Sequence, residues 1–143
     1  MNAAALLLSI KPRFADAIFS GEKTVEIRRV RPRLRAGDLV FVYVSSPRCA
    51  LEGAFEVERL LEAEPKQLWK FVAGRAGLPH KEFDDYLSGC EIAFGIVIRR
   101  RWQLAEPLHL KKMRKRRVDP PQSYRYLLPK HQAALFRGVE TAG

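Results

Sequence analysis

Two short runs, Leu8-Ser9-Ile10-Lys11-Pro12 and Ser20-Gly21-Glu22-Lys23-Thr24-Val25-Glu26-Ile27-Arg28-Arg29, decide how this chain begins to fold. The apolar run from Ala4 to Ile10 that leads into the first predicts a strand buried on both faces, or the first strand of a small barrel. Lys11-Pro12 signals a helix start, because proline fits the first helical position, where its missing N–H costs nothing. Phe14, Ala17 and Ile18 recur at helical spacing, and Gly21 supplies the stop. Beyond it, Thr24 to Arg28 alternates. Val25 and Ile27 fall on one face of a strand, and Thr24, Glu26 and Arg28 share the other.

Working outward, Gly37-Asp38 turns the chain into a strand from Leu39 to Val44, which ends at Ser45-Ser46-Pro47. A further strand is predicted from Leu51 to Leu60, with Gly53 allowing a bulge or a close approach. Pro65 and Pro79 each open an amphipathic helix, the first carrying Leu68, Trp69 and Val72, the second Phe83, Tyr86 and Leu87 before Gly89. Strand character returns from Glu91 to Ile98. Leu110 to Arg117 reads as a helix or an exposed basic arm, Asp119-Pro120-Pro121-Gln122 breaks regular structure, and Lys130 to Arg137 forms a last short helix. Strands and helices are mixed without strict alternation. That order favours an α+β domain with a curved, mostly antiparallel sheet over a doubly wound fold.

A chain of 143 residues buries one core, so one domain spanning 1–143 and one site are expected, with a loose C-terminal tail. No apolar run reaches the roughly 18 to 20 residues that cross a bilayer, and Cys49 and Cys90 stand far apart with no second ligand at metal spacing. The expectations are therefore no membrane association, no metal, no cofactor and a reduced cytoplasmic setting. Neither a P-loop nor a Gly-x-Ser-x-Gly turn is present, and His80, His109 and His131 show no paired spacing, which leaves nucleoside triphosphate hydrolysis, serine hydrolase action and two-histidine nuclease chemistry without support.

Charge is the unusual property. The chain carries 26 Lys and Arg against 16 Asp and Glu, a net charge of +10, and such a field attracts polyanions. It is concentrated in two stretches. Lys23, Arg28, Arg29, Arg31, Arg33 and Arg35 stand against Glu26 alone; the segment 99–117 holds Arg99 to Arg101, Lys111, Lys112 and Arg114 to Arg117 against Glu106. The second cluster would either track a phosphate backbone and extend a binding footprint, or stand as a solvated arm.

Gly21, Lys23, Glu26 and Arg28 compose a Gly-x-Lys-x-x-Glu-x-Arg motif. It is followed in order by Gly37-Asp38 leading to Tyr43-Val44-Ser45-Ser46-Pro47, and by Pro120-Pro121-Gln122-Ser123-Tyr124-Arg125-Tyr126-Leu127. In these three segments and their order the chain resembles the ASCH family of PUA-like proteins. The resemblance implies a small PUA-like β-barrel with short helices packed around it, and a cleft beside the first helix that accepts RNA.

The residues agree with such a cleft. Phosphate needs positive charge and directed donors, which Lys11, Lys23 and Arg28 would supply, with Arg125 in the third segment and the hydroxyls of Thr24, Ser45, Ser46 and Ser123 adding neutral ones. Unpaired bases need aromatic rings, and Tyr124 after the proline break is the leading candidate; Tyr43 is as suited to the core as to a ligand. Glu26 either orients Arg28 or Lys23, reads a base edge, or accepts a proton. The leading expectation is an RNA- or nucleotide-binding module. In the alternative, a hydrolase of the same fold, Lys23 and Glu26 form a catalytic pair, since a desolvated lysine can act as nucleophile or base. Some relatives that the chain resembles are ribonucleases of single-stranded RNA, which would make the hydrolase a ribonuclease. Others are amidohydrolases of acylated cytidine that use a lysine in this turn, a threonine three residues later and a glutamate elsewhere; here Glu26 occupies the threonine position. A third alternative is a regulatory domain whose basic patch meets an acidic protein.

Overall fold

Pro12 opens the first helix and Gly21 closes it in the left-handed region, φ 91°, which a side-chain-free residue adopts without cost. A computed structural model describes residues 5–140. In chain order the elements are β1 (Ala5–Ile10), α1 (Pro12–Ser20), β2 (Val25–Arg28), β3 (Leu39–Val44), β4 (Ala50–Ala63), α2 (Pro65–Val72), α3 (His80–Tyr86), β5 (Ala93–His109), α4 (Leu110–Lys115), β6 (Tyr124–Tyr126) and α5 (Pro129–Glu140). The six strands form one curled, mixed sheet, a half-barrel ordered β2-β5-β4-β3-β1-β6. β1 and β3 run parallel, and the other pairings are antiparallel. The curved, mostly antiparallel sheet expected from the sequence is present. Among the described residues the terminal strands β2 and β6 do not pair, and Arg28 reaches Ser123 across the seam between them.

Alternation along the strands sorts the core onto two faces. Leu6, Leu8 and Ile10 of β1, Val40, Val42 and Val44 of β3, and Ile96 and Ile98 of β5 share one face with Ala15 and Ile18 of α1. On the other face, Leu7, Phe41, Leu51 and Leu108 pack with Met113 of α4 and Leu135 of α5. At its β2 end the same sheet meets α2 and α3: Val25, Ile27 and Val97 pack on Leu68, Val72, Phe83 and Leu87. Each such buried aliphatic or aromatic side chain contributes about 1.5–3 kcal/mol relative to exposure. Gly53 lies where the β4–β5 register shifts, and a Cβ there would stand 2.1 Å from the Trp102 carbonyl oxygen and 2.6 Å from the Phe19 ring. The close approach expected of this glycine is what seats α1 on the hairpin.

One expectation changes, one open reading closes and one strand is added. The strand predicted to end at Ile98 continues to His109, because Arg99 and Arg100 find Glu56 on β4 and the ladder runs on through Trp102 and Gln103. Residues 110–117 are not an arm: α4 inserts Met113, and Val118 follows it into the core. Tyr124 to Tyr126, after the proline break, form an edge strand on β1. Much of the tail expected to be loose is α5, while residues 141–143, like Ala4 of the predicted first strand, lie outside the described residues. No helix among the described residues is long and apolar enough to cross a membrane.

Candidate nucleic-acid interface

β2 carries its chemistry by alternation. With Val25 and Ile27 committed to the α2–α3 side, Glu26 and Arg28 turn to the opposite face, where a cleft of about 440 Å³ opens between α1, β2 and α3. Lys23 enters the same cleft from the turn after Gly21. Its backbone N–H donates to the Ala17 carbonyl at 2.9 Å, and its stem runs beneath Gly77, where an added Cβ would come within 3.1 Å of it.

These three side chains form one network. Glu26 divides its carboxylate, with Oε1 3.3 Å from Lys23 Nζ and Oε2 3.3 Å from Arg28 Nη1. Lys23 Nζ also donates to the Ala76 carbonyl and stands 5.2 Å from the centre of the Phe14 ring. The Lys23 and Glu26 side chains are 2% and 9% exposed, and that of Arg28 is 14% exposed. Removing one partner of such a buried pair leaves an uncompensated charge, at a cost of about 3–5 kcal/mol. Arg28 is the most accessible member, and its Nη2 donates across the seam to the Ser123 hydroxyl.

The opposite wall is α3, which offers Glu82, Asp85 and Tyr86, spaced to share one helical face, while Phe83 and Leu87 hold the other in the core. Arg13 of α1 reaches over to Glu82 with two hydrogen bonds, Nη1 to Oε1 at 3.2 Å and Nη2 to Oε2. The pair raises the Arg13 pKa and holds the Glu82 carboxyl below its usual value. Burial pushes the Tyr86 phenol upward, against the pull of the nearby Arg28 cation. Lys11, exposed at the start of α1, completes the rim. Among the described residues four cations thus face three carboxylates, Lys23 and Arg28 paired with Glu26 and Arg13 with Glu82, so the cleft is basic by a single charge.

A second hollow of about 200 Å³ lies at the seam. It is lined by Leu6, Leu8, Val30 and Ile96 with Tyr124 and Ser123, and it shares Arg28 and Tyr86 with the larger cleft. Tyr124 is braced by the edge of the Tyr126 ring at 5.8 Å.

This cleft beside the first helix, floored by the Gly-x-Lys-x-x-Glu-x-Arg residues, sits in a chain whose residues 8–114 match the ASCH domain family. The chain belongs to that family. The ASCH domain-containing ribonuclease of Zymomonas mobilis subsp. mobilis is 31% identical over 123 residues, covering 85% of this chain and 82% of the relative. The crystal structure of ASCH from Zymomonas mobilis superposes with a TM-score of 0.87 at 28% identity, over 93% of this chain and 94% of that one. The N-terminal domain of Thermococcus gammatolerans McrB bound to m5C DNA matches with a TM-score of 0.59, over 94% and 95% of the two chains; at 10% identity this likeness is one of fold.

Of the residues singled out in the sequence, this ASCH chain brings Lys11, Lys23, Glu26 and Arg28 into one cleft, and places Ser123 and Tyr124 at the adjoining seam. The others lie elsewhere. Thr24 lines neither hollow; its backbone is held by Arg75 and Ile98. The Ser45 hydroxyl turns back to the Ile10 carbonyl at 3.4 Å, and Ser46 is exposed beyond β3, away from both hollows. Arg125 falls opposite Leu7 in the β1–β6 register, hence on the sheet face away from Tyr124, and donates to the Asp119 carbonyl at 3.1 Å. Tyr43 is a core residue, 6% exposed, hydrogen-bonded with Cys49. The segment 99–117 lines neither hollow: Arg99 and Arg100 pair with Glu56, the Arg101 guanidinium lies against Gly21, and Arg116 donates to the Ala134 carbonyl. Sequence reasoning missed Arg13, Glu82 and Asp85. An i, i+3, i+4 polar stripe opposite Phe83 and Leu87 was the available signal, although nothing local says what it faces.

Proposed function

We propose that this ASCH domain binds single-stranded RNA or a nucleotide through the α1–β2–α3 cleft, and that it acts on RNA as a ribonuclease. The observation that carries the reading is the Lys23–Glu26–Arg28 network on the cleft floor. The ribonuclease relative, at 31% identity over most of both chains, supports the reaction class.

Arg28 supplies a planar donor fork for a phosphate, with Lys11 as a mobile charge at the rim. In cleavage through the neighbouring ribose, the 2′-oxygen attacks phosphorus and the bond to the 5′-oxygen breaks. Glu26, whose oxygens lie between Lys23 and Arg28, takes the 2′-hydroxyl proton and hands it to the departing 5′-oxygen, while Arg28 and Lys23 offset the charge that gathers on phosphorus. Lys23 serves as a fixed ammonium donor, held by Glu26 and Ala76. The amidohydrolase alternative lacks this support, since Glu26 stands where those relatives carry threonine and occupies Lys23 itself; Glu82, the other glutamate of the cleft, is engaged by Arg13. Unbridged Cys49 and Cys90 fit a reducing compartment, the cytoplasm.

The test uses nuclease-free protein and labelled single-stranded RNA, with Arg28→Gln and Glu26→Gln variants. Binding by the unaltered protein is expected to fall with salt by about 0.7 log units per log unit for each phosphate contacted. Arg28→Gln should reduce that slope by about one contact, and Glu26→Gln should abolish product while retaining RNA. Failure of the unaltered protein to retain or cleave RNA at low salt would overturn the reading.

A further inference from the structure

Arg28 and Tyr86 line both hollows, so the larger cleft and the seam hollow are contiguous. Their chemistries differ. The larger carries seven charged side chains beside Ile10, Phe14, Ile27 and Leu78. The smaller is lined mainly by Leu6, Leu8, Val30, Pro32 and Ile96, with Arg28, Arg29 and Ser123 as its charged and hydroxyl groups beside the two tyrosines. At about 200 Å³ it falls below the roughly 300–1,000 Å³ of pockets that take drug-sized ligands, which leaves room for one flat ring system and not for a whole nucleotide.

Two aromatic rings flank this space. Tyr86 is 38% exposed at the junction, and its carbonyl accepts from Arg29 at 3.0 Å, which fixes the end of α3 against the β2 exit. Tyr124 stands on the β6 side, held by the edge of Tyr126. The hollow also lies between β2 and β6, the two ends of the strand order, each of which keeps one edge without a strand neighbour among the described residues. Such an edge presents backbone N–H and C=O groups, the donors and acceptors that complement the hydrogen-bonding edge of a base.

We propose that the seam hollow is a nucleobase subsite: it takes one unstacked base of the strand whose adjoining phosphate lies against Arg28 in the larger cleft, with Tyr86 as the stacking ring between them. The proposal rests on the RNA-binding reading and adds to it the unit recognised. A base already paired in a duplex cannot enter, so the site selects single strands or frayed ends.

Calorimetric titration with uridine 5′-monophosphate and with ribose 5-phosphate tests it, because the two probes differ by the base alone. The unaltered protein is expected to bind the nucleotide about tenfold tighter or more, in the range that one base–aromatic stack supplies. Tyr86→Ala should bring the nucleotide to the level of the sugar phosphate. So should Val30→Trp, which fills the hollow from a position 63% exposed and outside the phosphate cleft, while leaving ribose 5-phosphate affinity within about twofold. Equal affinity of the unaltered protein for the two probes would overturn the base subsite and leave RNA binding standing. Nucleotide binding undiminished by both substitutions would overturn it as well. No binding of either probe would overturn both readings.

Discussion

Replacing Lys23 by methionine isolates the charge at the centre of the site, because the methionine side chain keeps most of the apolar stem beneath Gly77 and removes the ammonium. Lys23 is 2% exposed, and its Nζ bonds the Ala76 carbonyl and stands 3.3 Å from Glu26. The substitution leaves Glu26, 7% exposed, with Arg28 as its remaining cation in this network and strands the Ala76 carbonyl. Breaking a buried ion pair costs about 3–5 kcal/mol. Because Arg28 stays 3.3 Å from the carboxylate, the lower end applies, about 3 kcal/mol. For a domain of this size that corresponds to a loss of roughly 6–12 °C in melting temperature. Urea denaturation of Lys23→Met, Glu26→Gln and the double variant measures it, and the double variant should lose less than the sum of the two single losses, since its partners are removed together. A Lys23→Met protein within about 1 kcal/mol of the unaltered one, or additive losses in the cycle, would refute the claim that this pair holds the cleft floor.

Glu82→Gln frees the Arg13 guanidinium from its carboxylate, so affinity for single-stranded RNA should rise and become more salt-sensitive by about one phosphate contact in a filter-binding series. In urea denaturation, Gly53→Ala, which sets a methyl group 2.1 Å from the Trp102 carbonyl oxygen, a backbone atom that cannot step aside, should cost about 3 kcal/mol or more; Gly74→Ala, with open space but φ +78°, should cost about 1–2 kcal/mol. The Tyr43 phenol is pushed up to about 12 by burial and by its hydrogen bond with Cys49. A pKa raised in the folded state contributes stability that is fully present below the ordinary tyrosine value near 10 and is lost as pH rises to about 12. Ultraviolet titration should show this phenol ionising last, and Tyr43→Phe should flatten the loss of stability in that window.

The first helix was readable because its signals are local: Pro12 fixes φ, Gly21 accepts the left-handed stop, and both act within a few residues of the bonds they control. The same holds for β2, where Val25 and Ile27 alternate with Glu26 and Arg28, and which face is buried follows from chemistry alone. Alternation therefore placed Glu26 beside Arg28 before any fold was known. It did not separate Tyr124 from Arg125, expected to serve one site; adjacent strand residues face opposite ways, and the β1–β6 register sends Arg125 to the far side. Nor did charge density locate the cleft. The basic run 99–117 stands out in composition, yet it lines neither hollow: Arg99 and Arg100 pair with Glu56, Arg101 lies against Gly21 at the end of α1, Arg114 pairs with Asp119, and Arg116 donates to the Ala134 carbonyl.

By itself, then, the sequence determined the local elements, the two-faced β2 strand and the residues able to meet phosphate. Tertiary structure alone decided that Arg13 meets Glu82, that Lys23 is sealed against Ala76, and that Arg28 reaches Ser123 across the seam. The physical reason is range. Caps and alternation act over a few residues, whereas each of those contacts joins segments more than fifty residues apart, brought together by the curl of a sheet that no short stretch of chain specifies.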